Sequence, residues 1–193
     1  MNQPLILASS SIYRRELLTK LGLVFSCISP DIDETLIIGE SPESLVMRLA
    51  KEKALTVAHD HDAALVIASD QVAVINGQIV GKPGGHAHAV EQLTAASGQA
   101  VLFLTSLALF NGRSGHIQLE VVPFTVHFRQ LNSDEIENYL QKEQPYQCAG
   151  SFKSEALGIA LFERLEGDDP NALVGLPLIK LIEMLKNEGI NVI

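Results

Sequence analysis

Residues 4–21 read Pro4-Leu5-Ile6-Leu7-Ala8-Ser9-Ser10-Ser11-Ile12-Tyr13-Arg14-Arg15-Glu16-Leu17-Leu18-Thr19-Lys20-Leu21. In this segment an apolar stretch is joined to an amphipathic one through three consecutive serines. The pattern predicts a strand over 4–8 and a helix over 11–21, ended by Gly22. Backbone N–H groups at the start of a helix have no partner within the helix, and serine hydroxyls beside them complete a site for an anion. The segment therefore predicts an anion site between the first strand and the first helix.

The first predicted helix carries one arginine on its apolar side. Leu17, Leu18 and Leu21 form the apolar stripe, and Arg14 lies on that stripe because it precedes them at helical spacing. Arg15 points about 100° away from it. An inward-facing arginine needs an anion to meet it. We expect that anion to be a phosphate group, and the alternative is a buried pair with a carboxylate of the protein.

Composition limits the classes of partner. The chain has 193 residues, 47% of them hydrophobic, which suits one domain over 1–193 with an ordinary core. The net charge of −9 disfavours a nucleic acid or an anionic membrane as partner. A small polyphosphate remains compatible, because a few cations in one cleft reverse the local field. Half of the 14 Lys and Arg residues precede residue 83, which favours such a site in the first half of the chain.

The sequence predicts a cytoplasmic protein. Its N-terminus has no basic region followed by an apolar signal segment, and the longest apolar stretch, Ala100–Phe110, is too short to span a bilayer. Cys27 and Cys148 stand apart without metal-ligand spacing, so we expect two reduced thiols with structural roles.

Hydrophobic periodicity predicts an α/β protein with a mixed sheet. Two features predict antiparallel hairpins, namely Asn76-Gly77 within 72–80 and Asn111-Gly112 between two long strands. Pro123 is expected at a bulge or a sheet edge. The predicted strands are 4–8, 23–28, 63–69, 101–110, 117–128 and 157–163, with the hairpin over 72–80, and the predicted helices are 11–21, 42–58, 86–96, 133–142 and 177–187.

The second predicted helix also carries a cation on its apolar face. Val46, Leu49, Ala50 and Val57 define that face, and Lys53 lies near its middle. We expect Lys53 to bind the same anion as Arg14, although a lysine can also extend its ammonium out of such a face to water. The other charged residues are expected on a solvated face, namely Arg48, Lys51 and Glu52.

Asp70 lies inside an otherwise apolar stretch of strand character. A buried carboxylate needs a cation, a proton or a metal ion to compensate for lost hydration. Ligand clefts of open α/β sheets lie at the carboxyl ends of strands, which makes Asp70 a candidate general base, metal ligand or both. The alternative is a structural salt bridge with Lys53 or Lys82.

Two loops supply further candidates. Asp31, Asp33 and Glu34 follow a predicted strand, and one or two such carboxylates can hold Mg²⁺ together with waters and phosphate oxygens. A plain acidic loop explains the same composition. Gly81-Lys82-Pro83 ends a predicted hairpin, where Pro83 stiffens the turn that presents Lys82.

Seven short segments resemble the Maf family of nucleoside-triphosphate pyrophosphatases. They are Leu-Ala-Ser-Ser-Ser-Ile-Tyr-Arg-Arg (7–15), Asp-Glu (33–34), Ala-Lys-Glu-Lys-Ala (50–54), Ser-Asp-Gln (69–71), Gly-Lys-Pro (81–83), Ala-Gly-Ser-Phe-Lys-Ser-Glu (149–155) and Val-Gly-Leu-Pro (174–177). The resemblance covers essentially the whole chain. It implies a two-lobed α/β fold with a central cleft, like that of inosine-triphosphate pyrophosphatases. It also implies a cytoplasmic location, a divalent metal cofactor (Mg²⁺ or Mn²⁺), and hydrolysis of a nucleotide to its monophosphate and pyrophosphate.

Within that family, Tyr13, Gln71 and Glu155 resemble the branch that acts on 7-methyl-GTP, whereas the dTTP/UTP branch typically carries Arg, Thr and Gln at the matching positions. Glu155 can accept hydrogen bonds from the N1–H and amino group of guanine. Methylation at N7 makes the purine cationic, and the Tyr13 ring can stack on that charge. Ile12 stands where the family motif often has proline, and Ala156 where glycine is common.

The resemblance and the residue patterns together assign a role to each candidate. Ser9, Arg14, Lys53 and Lys82 are expected to bind the triphosphate. Asp70, with Glu34, is expected to organise the metal ion and the attacking water. One alternative is the same chemistry on dTTP, UTP or another modified nucleotide. A second is a nucleotide-binding regulator of cell division without enzymatic activity. A homodimer is compatible with the sequence.

Overall fold

The computed structural model describes residues 3–193 and contains one seven-stranded sheet flanked by helices. The strands are β1 (Leu5–Ala8), β2 (Ser26–Ile28), β3 (Leu65–Ile75), β4 (Gln78–Val80), β5 (Ala100–Asn111), β6 (His116–Phe128) and β7 (Phe162–Glu166). The helices are α1 (Ile12–Thr19), α2 (Pro42–His59), α3 (His86–Ala96), α4 (Ser133–Glu143), α5 (Pro170–Val174) and α6 (Leu178–Asn187). Two short 3-10 turns cover Ala149–Ser151 and Leu157–Leu161.

The strand order is β2-β1-β3-β5-β6-β7, with β4 paired to β3 outside this path. β1 runs parallel to both β2 and β3, and the remaining pairs are antiparallel. The sheet is therefore mixed, which confirms the predicted fold class. No helix within residues 3–193 has the length and apolar content that a membrane span requires.

Local sequence signals produce several of the element boundaries. Ser11 caps α1, its hydroxyl accepting from the Arg14 backbone N–H at 3.3 Å. Ser41 caps α2 in the same way, with Pro42 at the first helical position. Asn76 and Gly77 both have positive φ, as the tight turn between β3 and β4 requires. These signals lie within a few residues of the structure they specify, and the predicted turn at Asn76-Gly77 is confirmed.

Two apolar cores lie on either side of the middle of the sheet. The leucine core contains Leu5, Leu7, Leu17, Leu18, Leu65, Ile67, Leu107, Leu109, Leu176, Leu178, Leu181, Met184 and Leu185. The aromatic core includes Phe103, Phe124, Phe128, Phe152, Tyr139 and the buried residues of α3. β3 passes from one core, at Leu65, to the other, at Ile75. The centre of β3 consequently lies between the two lobes.

Several predicted boundaries were wrong, and one helix was not predicted. The second predicted strand, 23–28, is a strand only over Ser26–Ile28. β3 is continuous from Leu65 to Ile75, so the predicted strand 63–69 does not end before Asp70 but continues into the first arm of the predicted hairpin 72–80. Asn111 still pairs with His116, and the turn between β5 and β6 occupies 112–115. The predicted strand 157–163 begins as a 3-10 turn, and its strand, β7, starts only at Phe162. Helix α5 was not predicted, because five residues are too few to show helical periodicity.

Pro123 lies in the part of β6 that pairs with β5 alone, because pairing with β7 begins at Thr125. A proline has no N–H to donate and is tolerated on such an unpaired edge. The prediction of an edge position is confirmed.

Candidate functional site

A cleft of about 770 Å³ separates the two cores. Its wall contains the nine side chains to which the sequence assigned roles, namely Ser9, Tyr13, Arg14, Glu34, Lys53, Asp70, Gln71, Lys82 and Glu155. The other two acidic candidates, Asp31 and Asp33, are not part of that wall. The nine residues come from six separate regions of the chain, and folding brings them to one cavity. The roles assigned to them remain predictions.

A three-residue ionic cluster occupies the centre of the cleft. The Lys53 Nζ atom lies 2.5 Å from Asp70 Oδ1 and 2.7 Å from Glu34 Oε1. The side chain of Lys53 is 8% exposed and that of Asp70 is 11% exposed, whereas Glu34 is 55% exposed. Lys53 therefore does not extend to bulk water. The salt bridge between Asp70 and Lys53, which the sequence left as an alternative, is present.

This cluster is negatively charged as a whole, since one ammonium faces two carboxylates. Burial raises the pKa of Glu34, but the hydrogen bond and charge of Lys53, together with the charges of Lys82 and Arg14, hold that pKa below its usual range. Two carboxylates in this arrangement are suitable ligands for a divalent metal ion, whereas a phosphate group would compete with them for the Lys53 ammonium.

The donor set fits a divalent cation that is only partly coordinated by protein. Within residues 3–193 no group of three or more His, Cys, Asp or Glu side chains could hold a metal ion. Mg²⁺ in nucleotide sites usually takes one or two carboxylates and completes its coordination with waters and phosphate oxygens. Glu34 and Asp70 can supply that pair of carboxylates.

Asp70 lies in the middle of β3, and not at its carboxyl end as the sequence had suggested. The cleft opens there because β1 is shorter than β3: its pairing with β3 stops at Leu7, opposite Ile67. The Asp70 backbone N–H donates to Ser106 Oγ at 3.1 Å, and the Ser106 hydroxyl donates to Val46 O on α2 at 2.6 Å. Ser106 thus ties β5, β3 and α2 together directly behind the carboxylate.

Arg14 projects from the first turn of α1 and is half-buried, while Arg15 is exposed. Its Nε atom donates to Gly175 O at 2.8 Å, and Ser69 Oγ donates to the same carbonyl at 2.8 Å. Burial lowers the pKa of Arg14, and the charges of Asp70 and Glu34 act in the opposite direction. The described hydrogen bond uses Nε, which leaves the terminal nitrogens of the guanidinium to meet an anion.

The remaining predicted phosphate ligands lie on two sides of the cleft. Ser9 is buried where β1 ends, and its hydroxyl accepts from the Ser11 backbone N–H at 3.1 Å, just before α1. Lys82 is exposed and follows β4, and its charge contributes to lowering the pKa of Glu34. The predicted cations therefore reach the same cavity from different elements.

The cleft wall also contains Tyr13, Cys148 and Glu155. Burial raises the pKa of Tyr13, and interactions with Cys148 and Glu155 raise it further. Burial also raises the pKa of the Cys148 thiol, which disfavours the reactive thiolate. The sequence had treated Cys148 as a structural thiol without a place in the site, and its position on the cleft wall is a correction.

Gln71 fixes the short helix α5 against the sheet. Its Nε2 atom donates to Thr105 Oγ1 at 2.8 Å, to Ala172 O at 2.9 Å and to Leu173 O at 3.1 Å. The Thr105 hydroxyl also donates to Ala172 O, at 2.9 Å. The side-chain amide nitrogen of Gln71 is therefore occupied by structural hydrogen bonds.

Sequence reasoning did not assign a role to the residues whose hydrogen bonds support the cleft wall, namely Ser69, Thr105, Ser106 and Gly175. Ser69, Thr105 and Ser106 are fully buried hydroxyls within apolar strands. Buried hydroxyls need hydrogen-bond partners. A serine or threonine within an apolar strand was therefore the signal that could have identified these residues. Their partners come from α2 and from the segment around α5, which are distant in sequence.

The segment that carries Glu155 is supported by α4. The Lys153 backbone N–H donates to Tyr139 Oη at 3.0 Å, and Lys153 Nζ donates to Glu143 O at 2.7 Å. The Gly158 N–H donates to Lys153 O at 3.1 Å and closes the turn around Glu155. A Cβ atom at Gly158 would lie 2.2 Å from Lys153 O.

We therefore expect Gly158→Ala to destabilise the protein by about 1–3 kcal/mol, because the turn must open to admit the methyl group. Urea unfolding followed by circular dichroism measures this change in the free energy of unfolding. Gly81→Ala is the matched control, since a Cβ atom there meets nothing within 4 Å and Gly81 caps no helix. Equal stability of the two variants would contradict the close approach at Gly158.

Comparison with known proteins adds family relationships to this geometry. A family model described as Maf-like protein matches residues 4–188. The 7-methyl-GTP pyrophosphatase of Pseudomonas savastanoi pv. phaseolicola is 58% identical over 188 residues, covering 97% of this chain and 98% of that protein. The 7-methyl-GTP pyrophosphatase of Nitrosococcus oceani is 60% identical over 185 residues, covering 96% and 93% respectively.

A solved structure shares the fold at much lower sequence identity. The Staphylococcus aureus Ham1 protein superposes with a TM-score of 0.53 at 15% identity, covering 96% of this chain and 99% of its own. At that identity the likeness concerns the fold alone. It supports the two-lobed α/β architecture that the sequence predicted.

Proposed function

This chain belongs to the Maf family, and on that premise we propose that it is a pyrophosphatase that hydrolyses 7-methyl-GTP to 7-methyl-GMP and pyrophosphate. One observation carries the proposal at the level of the site. A single cleft is lined by the ionic cluster of Asp70, Lys53 and Glu34 and also by Tyr13 and Glu155. The cleft therefore provides one region suited to the phosphates and another suited to the base.

The phosphate region supports binding of a triphosphate. Arg14, Lys53 and Lys82 bring positive charge, and the N-terminus of α1 adds backbone N–H groups beside Ser9. Arg14 is oriented before the substrate arrives, since its Nε atom donates to Gly175 O. Oriented cations stabilise the charge that builds on the phosphoryl oxygens in the transition state.

Asp70 is the proposed general base. Its carboxylate accepts a proton from water, whose oxygen attacks the α-phosphorus while the bond from that phosphorus to the bridging oxygen of the β-phosphate breaks. Pyrophosphate leaves with the bridging oxygen and its electron pair. Lys53 fixes the position of the Asp70 carboxylate through the 2.5 Å contact.

We include a divalent cation, Mg²⁺ or Mn²⁺, in this proposal, with Glu34 and Asp70 as its protein ligands. When bound, such an ion supplies charge neutralisation of the phosphate oxygens and lowers the pKa of water. The support is the donor set described above, two carboxylates on the cleft wall that are close enough to contact the same ammonium, that of Lys53.

The base region favours a guanine that carries positive charge. The Glu155 carboxylate can accept from both N1–H and the amino group of guanine, and the Tyr13 ring can stack on the cationic 7-methylguanine ring. Uracil and thymine present N3–H between two carbonyl oxygens, which would face the carboxylate unfavourably. These contacts differ between substrates, and differential contacts decide ratios of kcat/KM.

The test is a panel of four nucleotides. We expect kcat/KM for pyrophosphate release from 7-methyl-GTP to exceed the values for GTP, dTTP and UTP by at least about tenfold. Glu155→Gln should reduce this preference, since it removes the charge and retains the shape. Glu163→Gln removes the same charge from an exposed position on β7 and serves as the control.

Two outcomes would contradict the proposal at different levels. A higher kcat/KM with dTTP or UTP would overturn the substrate assignment while leaving the pyrophosphatase chemistry in place. Binding of nucleotides without pyrophosphate release from any of the four, with Mg²⁺ or Mn²⁺ present, would overturn the activity and favour a binding protein.

A further inference from the structure

Glu34 lies on a connection that has little apolar anchorage. The acidic segment, defined here as residues 31–40, links β2 to α2 and contains no helix or strand. Ile32 packs against the small core beneath α2, but Leu36, Ile37 and Ile38 are 49%, 56% and 101% exposed. Hydrophobic burial therefore holds the beginning of the segment and does not hold the part that follows Glu34.

Polar contacts with one side chain of α2 replace that missing anchorage. Arg48 Nε lies 2.8 Å from Glu40 Oε1, and Arg48 Nη2 lies 2.8 Å from Glu40 Oε2. Arg48 Nη2 also donates to Thr35 O at 3.1 Å. Thr35 directly follows Glu34 in the sequence. Arg48 therefore contacts both ends of the stretch from Thr35 to Glu40.

The contact between Arg48 and Glu40 is largely shielded from solvent. The side chain of Glu40 is 9% exposed and that of Arg48 is 20% exposed. Glu40 Oε2 also accepts from the Ile37 backbone N–H at 3.3 Å, and Asp33 Oδ1 accepts from the Thr35 N–H at 2.9 Å. Arg48 thus makes a two-pronged contact, in which two guanidinium nitrogens donate to the two oxygens of one carboxylate. Such a bidentate contact fixes the relative orientation of the two side chains more strictly than a single ion pair does. The sequence had placed Arg48 on a solvated face, and this is a further correction.

The same helix provides the partner of Glu34. Lys53 follows Arg48 on α2 and contacts Glu34 Oε1 at 2.7 Å. Arg48 and Lys53 thus fix the acidic segment relative to one rigid helix, one through Thr35 and Glu40 and the other through Glu34 itself. The position of the Glu34 carboxylate over the cleft depends on both.

We propose that Arg48 and Glu40 are positioning residues, which hold the acidic segment so that Glu34 faces Asp70 across the cleft. The inference rests on the proposed function where it gives Glu34 a metal to bind. Neither Arg48 nor Glu40 touches substrate in this arrangement. Their effect passes through the conformation of the segment.

Two variants with the same change in charge test the proposal. Glu40→Gln weakens the two-pronged contact, whereas Glu52→Gln removes the other carboxylate partner of Arg48, at 3.3 Å within α2, without touching the segment. Hydrogen exchange of residues 31–40 reports the conformation of the segment, and electron paramagnetic resonance with Mn²⁺ reports metal affinity without turnover. We expect Glu40→Gln to accelerate exchange and to raise the Kd for Mn²⁺ about tenfold.

Glu52→Gln should keep both values within about twofold of the wild type, in line with the small contribution of exposed helical ion pairs. Arg48→Lys, which keeps the charge and loses the two-pronged geometry, should change exchange and Kd in the same direction as Glu40→Gln. Wild-type exchange and wild-type Mn²⁺ affinity in both Glu40→Gln and Arg48→Lys would overturn the proposal.

Glu34→Gln separates this inference from the proposed function. Unchanged Mn²⁺ affinity in Glu34→Gln would overturn the assignment of Glu34 as a metal ligand, which belongs to the proposed function. The exchange rates of Glu40→Gln and Glu52→Gln still decide whether the contact with Arg48 holds the segment, because that measurement needs no metal ion.

Discussion

Replacing Asp70 with asparagine is expected to lower kcat for pyrophosphate release from 7-methyl-GTP by at least about 10²-fold, the usual loss when a general base is removed. The amide keeps the shape of the side chain and an oxygen that can accept from Lys53, which lies 2.5 Å away in the wild type. It cannot take a proton from water, and it is a weaker ligand for a divalent cation. The measurement is steady-state turnover with saturating Mg²⁺.

The fold should survive this substitution, because Lys53 retains Glu34 as a partner at 2.7 Å. A buried ammonium that keeps one carboxylate avoids the large penalty of an unpaired buried charge. Circular dichroism and thermal unfolding check the fold. Asp168→Asn makes the same chemical change at an exposed position and should retain wild-type turnover. Near-normal kcat in Asp70→Asn would remove Asp70 from the mechanism.

The second large effect is expected at Arg14. Arg14→Ala should lower kcat/KM by at least about tenfold, since charge-assisted hydrogen bonds to a phosphate contribute roughly 1.5–3 kcal/mol. Arg15→Ala removes the same charge and side chain one residue later, from an exposed position. It should change kcat/KM by no more than about twofold, as expected for a surface charge in salt.

Comparing the two arginine variants separates a contact in the cleft from a general effect of positive charge on α1. The ratio of their kcat/KM values converts directly into a difference in transition-state stabilisation. Losses of equal size would show that Arg14 acts through net charge and that its hydrogen bond to Gly175 O does not orient it for the substrate.

Charges at unexpected positions in an apolar pattern were the most informative signals in this sequence. Arg14, Lys53 and Asp70 each interrupt an apolar face or strand, and each lies on the wall of the same cleft. The reason is energetic, because a buried charge requires compensation and is retained only where the fold supplies it. Such residues can be recognised without knowing which group compensates them.

The sequence did not identify the groups that compensate these buried charges. Lys53 had several candidate partners, and only the fold shows that it meets Asp70 and Glu34 together. The partner of Arg14 is a main-chain carbonyl at Gly175, which has no side chain to indicate it. Contacts of this kind depend on the path of the whole chain, and local propensities do not encode them individually.

Arg48 is a charged residue that the sequence placed on a solvated face although the fold buries most of it. A helical projection places it outside the apolar face of α2, and that placement is geometrically correct. The projection cannot show that the acidic segment passes over the same side of the helix and buries most of Arg48 against Glu40. Burial outside the apolar stripe of a helix is decided by its neighbours and not by its own periodicity.

The sequence by itself determined the α/β class, the start of α2 at Pro42 and the turn at Asn76-Gly77, because each depends on hydrophobic periodicity or local backbone chemistry. It also identified Arg14, Lys53 and Asp70 as residues of a binding site, because burying charge is costly unless the charge is compensated. The tertiary structure alone decided the continuous course of β3 through Asp70, the short helix α5, and the arginine that holds the acidic segment. A buried strand has no amphipathic period, a single helical turn is too short to show one, and contacts between distant segments arise only when the sheet order brings those segments together.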